Sequence, residues 1–265
     1  MPKSTNYRAK TPNAAGHILY TAEEDAIWRD LVAQQTPNVT KYAAQVVLDG
    51  QAKLDLPRDR VPQCADVSTA LTELTGWKVS PVPALIGFSQ FFKMLAERTF
   101  PAASFIRNRE DFNYIEEPDI FHEIYGHTPL LTHQGLADFS QAIGETGLRC
   151  APADYSWLIR LYWFTIEFGL LHENGHIKAL GSGLASSPDE ISHSITAPNV
   201  ERKPFDIIDI LRTPYRIDIN QPLYFVLNSI DDLLATTNRD LLQDIKQAQS
   251  LGLHAPTYPP KQNAS

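Results

Sequence analysis

The run LYWFTIEFGLL, residues 161–171, restricts this chain more than any other stretch. With Leu158 ahead of it, its Leu161, Tyr162, Phe164, Ile166 and Phe168 leave a helix no polar face, and such a helix is stable only when other elements surround it. One long helix from Asp154 to about Leu171 is therefore expected at the centre of a domain. The run is too short to cross a bilayer, and it contains a glutamate. That residue, Glu167, is the anomaly. A carboxylate so placed has to be paired, protonated or bound to a cation, because an unpaired buried charge is costly.

Residues 119–131, DIFHEIYGHTPLL, offer further ligands for such a cation. Imidazoles suit iron, zinc or copper, and His122 and His127 with the carboxylate of Glu167 would make a facial set that leaves positions open. In H-E-x-x-H the histidines stand four apart and converge on zinc with the glutamate as base. Here they stand five apart, which on an ideal helix is roughly 140° around and about 7.5 Å along the axis, too divergent for one metal. Either a π-bulge intervenes or the helix ends near Gly126, so an irregular helix end is expected between Glu123 and Pro129. Two histidines each bonded to a carbonyl on a buried helix fit the spacing as well. A zinc hydrolase with Glu123 as base is a further reading, disfavoured by the spacing and by the absence of a role for Glu167.

The length of 265 residues, with 43% apolar and 20% charged, suits an ordinary globular protein of one large domain or two small ones. A net charge of −8 argues against nucleic acid or an anionic membrane as partner. The two cysteines, Cys64 and Cys150, make no disulfide framework or C-x-x-C site and read as reduced thiols. No apolar signal-peptide core follows Met1, so a cytoplasmic location is expected.

The fold expected is mainly α with a small antiparallel β element, divided into a flexible N-terminal tail (1–16), a catalytic domain (17–255) and a C-terminal tail (256–265). A capping box at Thr21 starts a first helix that Pro37 stops, a second runs from about Thr40 to Asp49 and is ended by Gly50, and a third, capped by Asp66, ends at Gly76 with Val67, Ala70, Leu71 and Leu74 inward. A helix follows through Phe88, Phe91, Phe92 and Leu95, and another spans about Leu136 to Gly144. Asn174-Gly175 signals a hairpin. Ser187 opens a helix, a short one lies near Ile207, and residues 229–250 read as one last helix.

The segments PDIFHEIYGHTPLL, LYWFTIEFGL, IKALGSGLASS and INQPLYFVL, in this order and spacing, resemble the catalytic domain of the pterin-dependent aromatic amino acid hydroxylases over about residues 83–227. The resemblance implies a single catalytic domain in which His122, His127 and Glu167 bind Fe(II). It implies that Arg107 pairs with the substrate α-carboxylate and Asp119 orients that arginine, while Ile115, Trp163 and Ser186 line the amino acid site. A tetrahydropterin co-substrate is implied to stack on Phe91 and to contact Leu85, Glu123 and Tyr162. Ile217 falls where tyrosine-hydroxylating members carry an acid, and an apolar residue there favours phenylalanine as the ring hydroxylated with O2, with a tyrosine or tryptophan hydroxylase of the same family as the alternative. The resemblance covers neither a regulatory domain nor a longer C-terminal assembly helix, so a monomer without allosteric activation is expected.

Overall fold

The computed structural model describes residues 7–82 and 86–260. Helix α1, Ala22–Tyr42, starts on the expected capping box: Thr21 Oγ1 accepts from Glu24 N, and Glu24 Oε2 accepts from Thr21 N. It does not stop at Pro37. Ile27, Trp28, Leu31, Val32, Gln35 and Val39 form one buried face spanning the proline, and burying large side chains at about 1.5–3 kcal/mol each outweighs the roughly 3 kcal/mol that an interior proline costs. Helix α2, Gln45–Leu54, begins later than expected and runs past Gly50. That glycine is a point of close approach and not a stop, since a Cβ there would stand 2.2 Å from the carbonyl oxygen of Pro129. Helix α3, Cys64–Thr75, starts before Asp66 and ends as expected on Gly76 at φ 77°. Its Leu74 faces solvent, while Cys64 and Thr75 join the buried face.

Strand β1, Lys78–Val82, pairs in parallel with β2, Thr99–Ala103, across helix α4, Phe88–Ala96. A π-helix follows at Phe121–His127 and passes directly into α5, Thr128–Leu131. The irregularity expected there takes the π form, but the helix continues beyond it. Helix α6, Gln134–Arg149, likewise continues through Gly144 and Gly147, against which α4 is pressed; a Cβ at Gly147 would lie 2.1 Å from the Phe92 ring.

The apolar centre is not one long helix. Helix α7, Tyr155–Tyr162, passes into a second π-helix, Trp163–Glu167, and the chain turns at Gly169 into β3, Leu170–Glu173. Strand β4, His176–Ala179, returns antiparallel over Asn174 and Gly175, both at positive φ as a type I′ turn requires. Next come α8, Ser182–Ser186, then α9, Pro188–Thr196, capped by Ser187, β5, Glu201–Pro204, and α10, Ile207–Arg212. Strand β6, Leu223–Leu227, is wholly buried and runs parallel to both β3 and β5. Only the hairpin is antiparallel, in a sheet ordered β4-β3-β6-β5. The expected last helix is two, α11, Asp231–Thr237, and α12, Leu241–Leu251, because Asp240 caps the second through Leu242 N and Gln243 N.

Leu158, Leu161, Phe164 and Ile166 are buried at the centre, with Phe225 edge-on to Phe164 at 5.2 Å. Among the described residues no helix is long and apolar enough to cross a membrane.

Candidate active site and metal centre

A π turn takes one residue more than an α turn, so residues five apart stack much as residues four apart do on an α-helix. This is how His122 and His127 come together: their Nε2 atoms lie 3.1 Å apart, with the rings edge-on. The second π-helix ends on Glu167, whose Oε1 is 3.1 Å from His127 Nε2 and Oε2 3.6 Å from His122 Nε2. Ligand atoms about 2.1 Å from one metal ion and about 90° apart stand roughly 3 Å from each other, so the three side chains fit a single ion.

Two hydroxyls from α8 fix this arrangement. Ser186 Oγ donates to the Ser182 carbonyl at 2.9 Å and so accepts from His122 Nδ1, also at 2.9 Å. That bond leaves the His122 Nε2 lone pair free for a metal. Ser182 Oγ lies 3.0 Å from Glu167 Oε2 and 3.1 Å from His127 Nε2. Burial pushes His122 down to about 4, against the charge of Glu167, so its imidazole is neutral near pH 7. Burial works to raise Glu167, but His127, His122 and the Ser182 hydroxyl hold it down to about 2.

A second carboxylate competes for the ion. Glu123 brings an oxygen within 4.8 Å of the ligand atoms of both histidines. Burial, reinforced by the charges of Glu167 and Asp119, raises its pKa well above the usual carboxylate range. A carboxyl whose pKa burial raises is a poorer metal ligand and base than Glu167, whose pKa its neighbours lower. This counts against the zinc-hydrolase alternative.

Arg107 and Asp119 form a buried pair in the segment between β2 and the first π-helix. Asp119 Oδ2 accepts from Arg107 Nε at 2.8 Å, and Oδ1 accepts from Arg107 Nη2 at 2.8 Å and from His122 N at 3.1 Å. Burial alone would raise Asp119, but the guanidinium and these hydrogen bonds hold it below 3.8. A cavity of about 430 Å³ opens over His122 and Glu167, lined also by Arg107, Ile115, Trp163 and Ser186 among others.

The remaining predicted residues cluster by His127 and not along this cavity. Tyr162 lies parallel to the His127 ring at 6.3 Å, and Phe91 meets Tyr162 edge-on at 5.4 Å. Leu85 lies outside the described residues. Sequence reasoning missed Ser182, although it sits in the small-residue run GSGLASS. It also missed Tyr215, stacked on Trp163 at 4.2 Å, and Glu117 and Glu190, which line the cavity.

Two imidazoles and one carboxylate beneath a cavity with a buried arginine on its wall make the donor set of a mononuclear non-haem metal centre. The family of biopterin-dependent aromatic amino acid hydroxylases matches residues 3–257, and the chain belongs to it. It is 45% identical over 97% of its length to a phenylalanine-4-hydroxylase of Vibrio cholerae, covering 89% of that protein. The apo structure of the cold-active phenylalanine hydroxylase of Colwellia psychrerythraea superposes with a TM-score of 0.93 at 46% identity, covering 95% of this chain and 97% of that one. The Chromobacterium violaceum phenylalanine hydroxylase with bound oxidised Fe(III) superposes with a TM-score of 0.87 at 34% identity, covering 92% and 89%.

Proposed function

We propose that this chain is a phenylalanine 4-monooxygenase, converting L-phenylalanine to L-tyrosine with O2 and a tetrahydropterin at an Fe(II) centre held by His122, His127 and Glu167. The observation that carries the reading is the meeting of those three side chains, within 3.1–3.6 Å of one another, under the cavity that Arg107 lines.

Iron bound there, with a reduced pterin as electron donor, supplies the activation of O2 and the transfer of one oxygen atom to the ring. The chain's own residues do the rest. Arg107 receives the substrate carboxylate, and its bonds to Asp119 use N–H groups on one side of the guanidinium and leave others to bind. Trp163, stacked on Tyr215 and in tilted contact with Phe168, gives the aromatic ring a rigid wall. Ile115 and Ser186 complete the amino acid site. Phe91 stacks on the pterin, Tyr162 stays a neutral phenol because burial raises its pKa, and Glu123, its pKa raised by burial, meets the pterin. The buried free thiols Cys64 and Cys150 support work in a reducing cytoplasm, and we assign a monomeric state.

The test is to incubate iron-loaded protein with phenylalanine, a tetrahydropterin and air and to measure tyrosine, beside metal-free protein and Glu167→Ala. Tyrosine formed only with iron, pterin and intact Glu167 is expected. No product from any aromatic amino acid, with zinc tightly bound instead, would overturn the reading.

A further inference from the structure

The connection between α10 and β6, residues 213–222, has no regular secondary structure and reaches the edge of the cavity through Ile217, which is 56% exposed. Within it, Ile217 lines the cavity and Tyr215 lies on Trp163. From the inside Gln221 holds the connection: its Nε2 donates to the carbonyls of Arg216 and Ile219, and its backbone N–H donates to Glu190 Oε1 at 2.6 Å. From the outside the chain beyond α12 lies along it. Arg212 Nε donates to the Gly252 carbonyl at 2.7 Å, and His254 N donates back to the Arg212 carbonyl at 2.9 Å. Arg216 grips Asp218 through Nε and Nη2 at 2.9 and 2.8 Å and donates through Nη1 to the Pro259 carbonyl at 2.9 Å. The Tyr258 hydroxyl donates to the Tyr215 carbonyl, and its ring lies 5.9 Å from the Arg216 guanidinium. Ile217 thus sits among Tyr215, Arg216 and Asp218, each tied directly or through Arg216 to residues about forty positions on.

We propose that residues 252–259 are a strap, and that Arg216 and Tyr258 are positioning residues which set substrate choice by fixing Ile217 against the cavity. Neither touches the substrate. The inference rests on reading this cavity as the amino acid site. An apolar wall discriminates between rings of different size only when it cannot retreat, so a held Ile217 selects and a loose one admits a larger ring.

The experiment compares Arg216→Ala, Tyr258→Ala and Tyr258→Phe with the wild type, each iron-loaded and checked for an unchanged melting transition; Arg216→Lys replaces Arg216→Ala if the latter unfolds. Hydrogen–deuterium exchange over residues 213–219 should quicken in both alanine variants and less in Tyr258→Phe, which keeps the ring. KM for phenylalanine should rise about threefold to tenfold with kcat within about twofold, and the preference for phenylalanine over tryptophan in kcat/KM should fall by a similar factor. Unchanged exchange overturns the strap, and so does faster exchange with the kinetic constants and preference intact. If the wild type hydroxylates no aromatic amino acid, the proposed function fails, while exchange and calorimetric binding of phenylalanine by the variants still decide the strap.

Discussion

The floor of the cavity and its rim are built by opposite means. His122, His127 and Glu167 stand on two π-helices, and their neighbours along the helix, together with two serines of α8, hold them in place. The rim is made of loops, and part of its fastening comes from segments remote in sequence. The Tyr7 ring stacks on Phe105 at 4.7 Å and its hydroxyl bonds to Asp111, while residues 252–259 grip the connection that carries Ile217. Backbone geometry sets the floor's ligand spacing. Side-chain-to-carbonyl bonds set the rim, each worth about 1 kcal/mol, so a rim can be retuned one bond at a time.

The largest losses are expected at the floor. Glu167→Ala and His122→Ala should each release iron and lower tyrosine formation by at least about a thousandfold, read by metal analysis and turnover. Ile217→Ala on the rim should stay within about tenfold. An equal loss at Ile217 would break the distinction.

Arg107 and Asp119 join the two regions, since the same aspartate accepts from His122 N. At 5% and 0% exposure, removing either partner strands a buried charge, and Arg107→Ala should cost about 3–5 kcal/mol in urea unfolding besides raising KM for phenylalanine about a hundredfold. The acid limb of stability follows from the same pair. Asp119 titrates below 3.8 when folded, so in acid the unfolded chain takes up the proton first. Its contribution is complete above the unfolded value and drains away as pH falls from about 4 through the lower folded pKa. Asp119→Asn should flatten that limb in unfolding measured across pH, and an unaltered slope would assign acid sensitivity elsewhere.

Ser186→Ala removes the acceptor that sets the His122 tautomer and leaves all three ligands in place. Iron affinity and turnover should fall about tenfold to a hundredfold, with KM for phenylalanine moving less if the hydroxyl serves the floor. A change confined to KM would show that Ser186 serves the amino acid site alone.

The same contrast explains what could be read from the chain. The five-residue spacing of His122 and His127 demands an irregular turn, and Glu167 in an apolar run demands a partner; both are local statements, and the floor follows from them together with the resemblance. The Thr21 cap and the Asn174-Gly175 turn are legible for the same reason. Pro37 and Gly50 misled because a breaker is a local signal and the interface it serves is not: α1 is carried past its proline by a long buried face, and Gly50 exists to let Pro129 approach. The rim ties leave no periodicity. A tyrosine whose hydroxyl meets a carbonyl forty-three residues away looks like any other tyrosine in the sequence.

The smallest effect expected is at Glu190, which holds the rim from within. Its Oε1 accepts from both Gln221 N and Tyr224 Oη at 2.6 Å, and burial raises its pKa despite those bonds. The site therefore needs an acceptor oxygen more than a charge. Glu190→Gln keeps an acceptor of the same reach, so stability should change by less than about 1 kcal/mol and KM for phenylalanine by less than about twofold. Glu190→Ala leaves two buried donors unanswered and should cost about 2–4 kcal/mol, with faster exchange over residues 213–219. If glutamine proves as damaging as alanine, the carboxylate charge itself acts on the cavity, and the rim shares in the electrostatics that the comparison reserves for the floor.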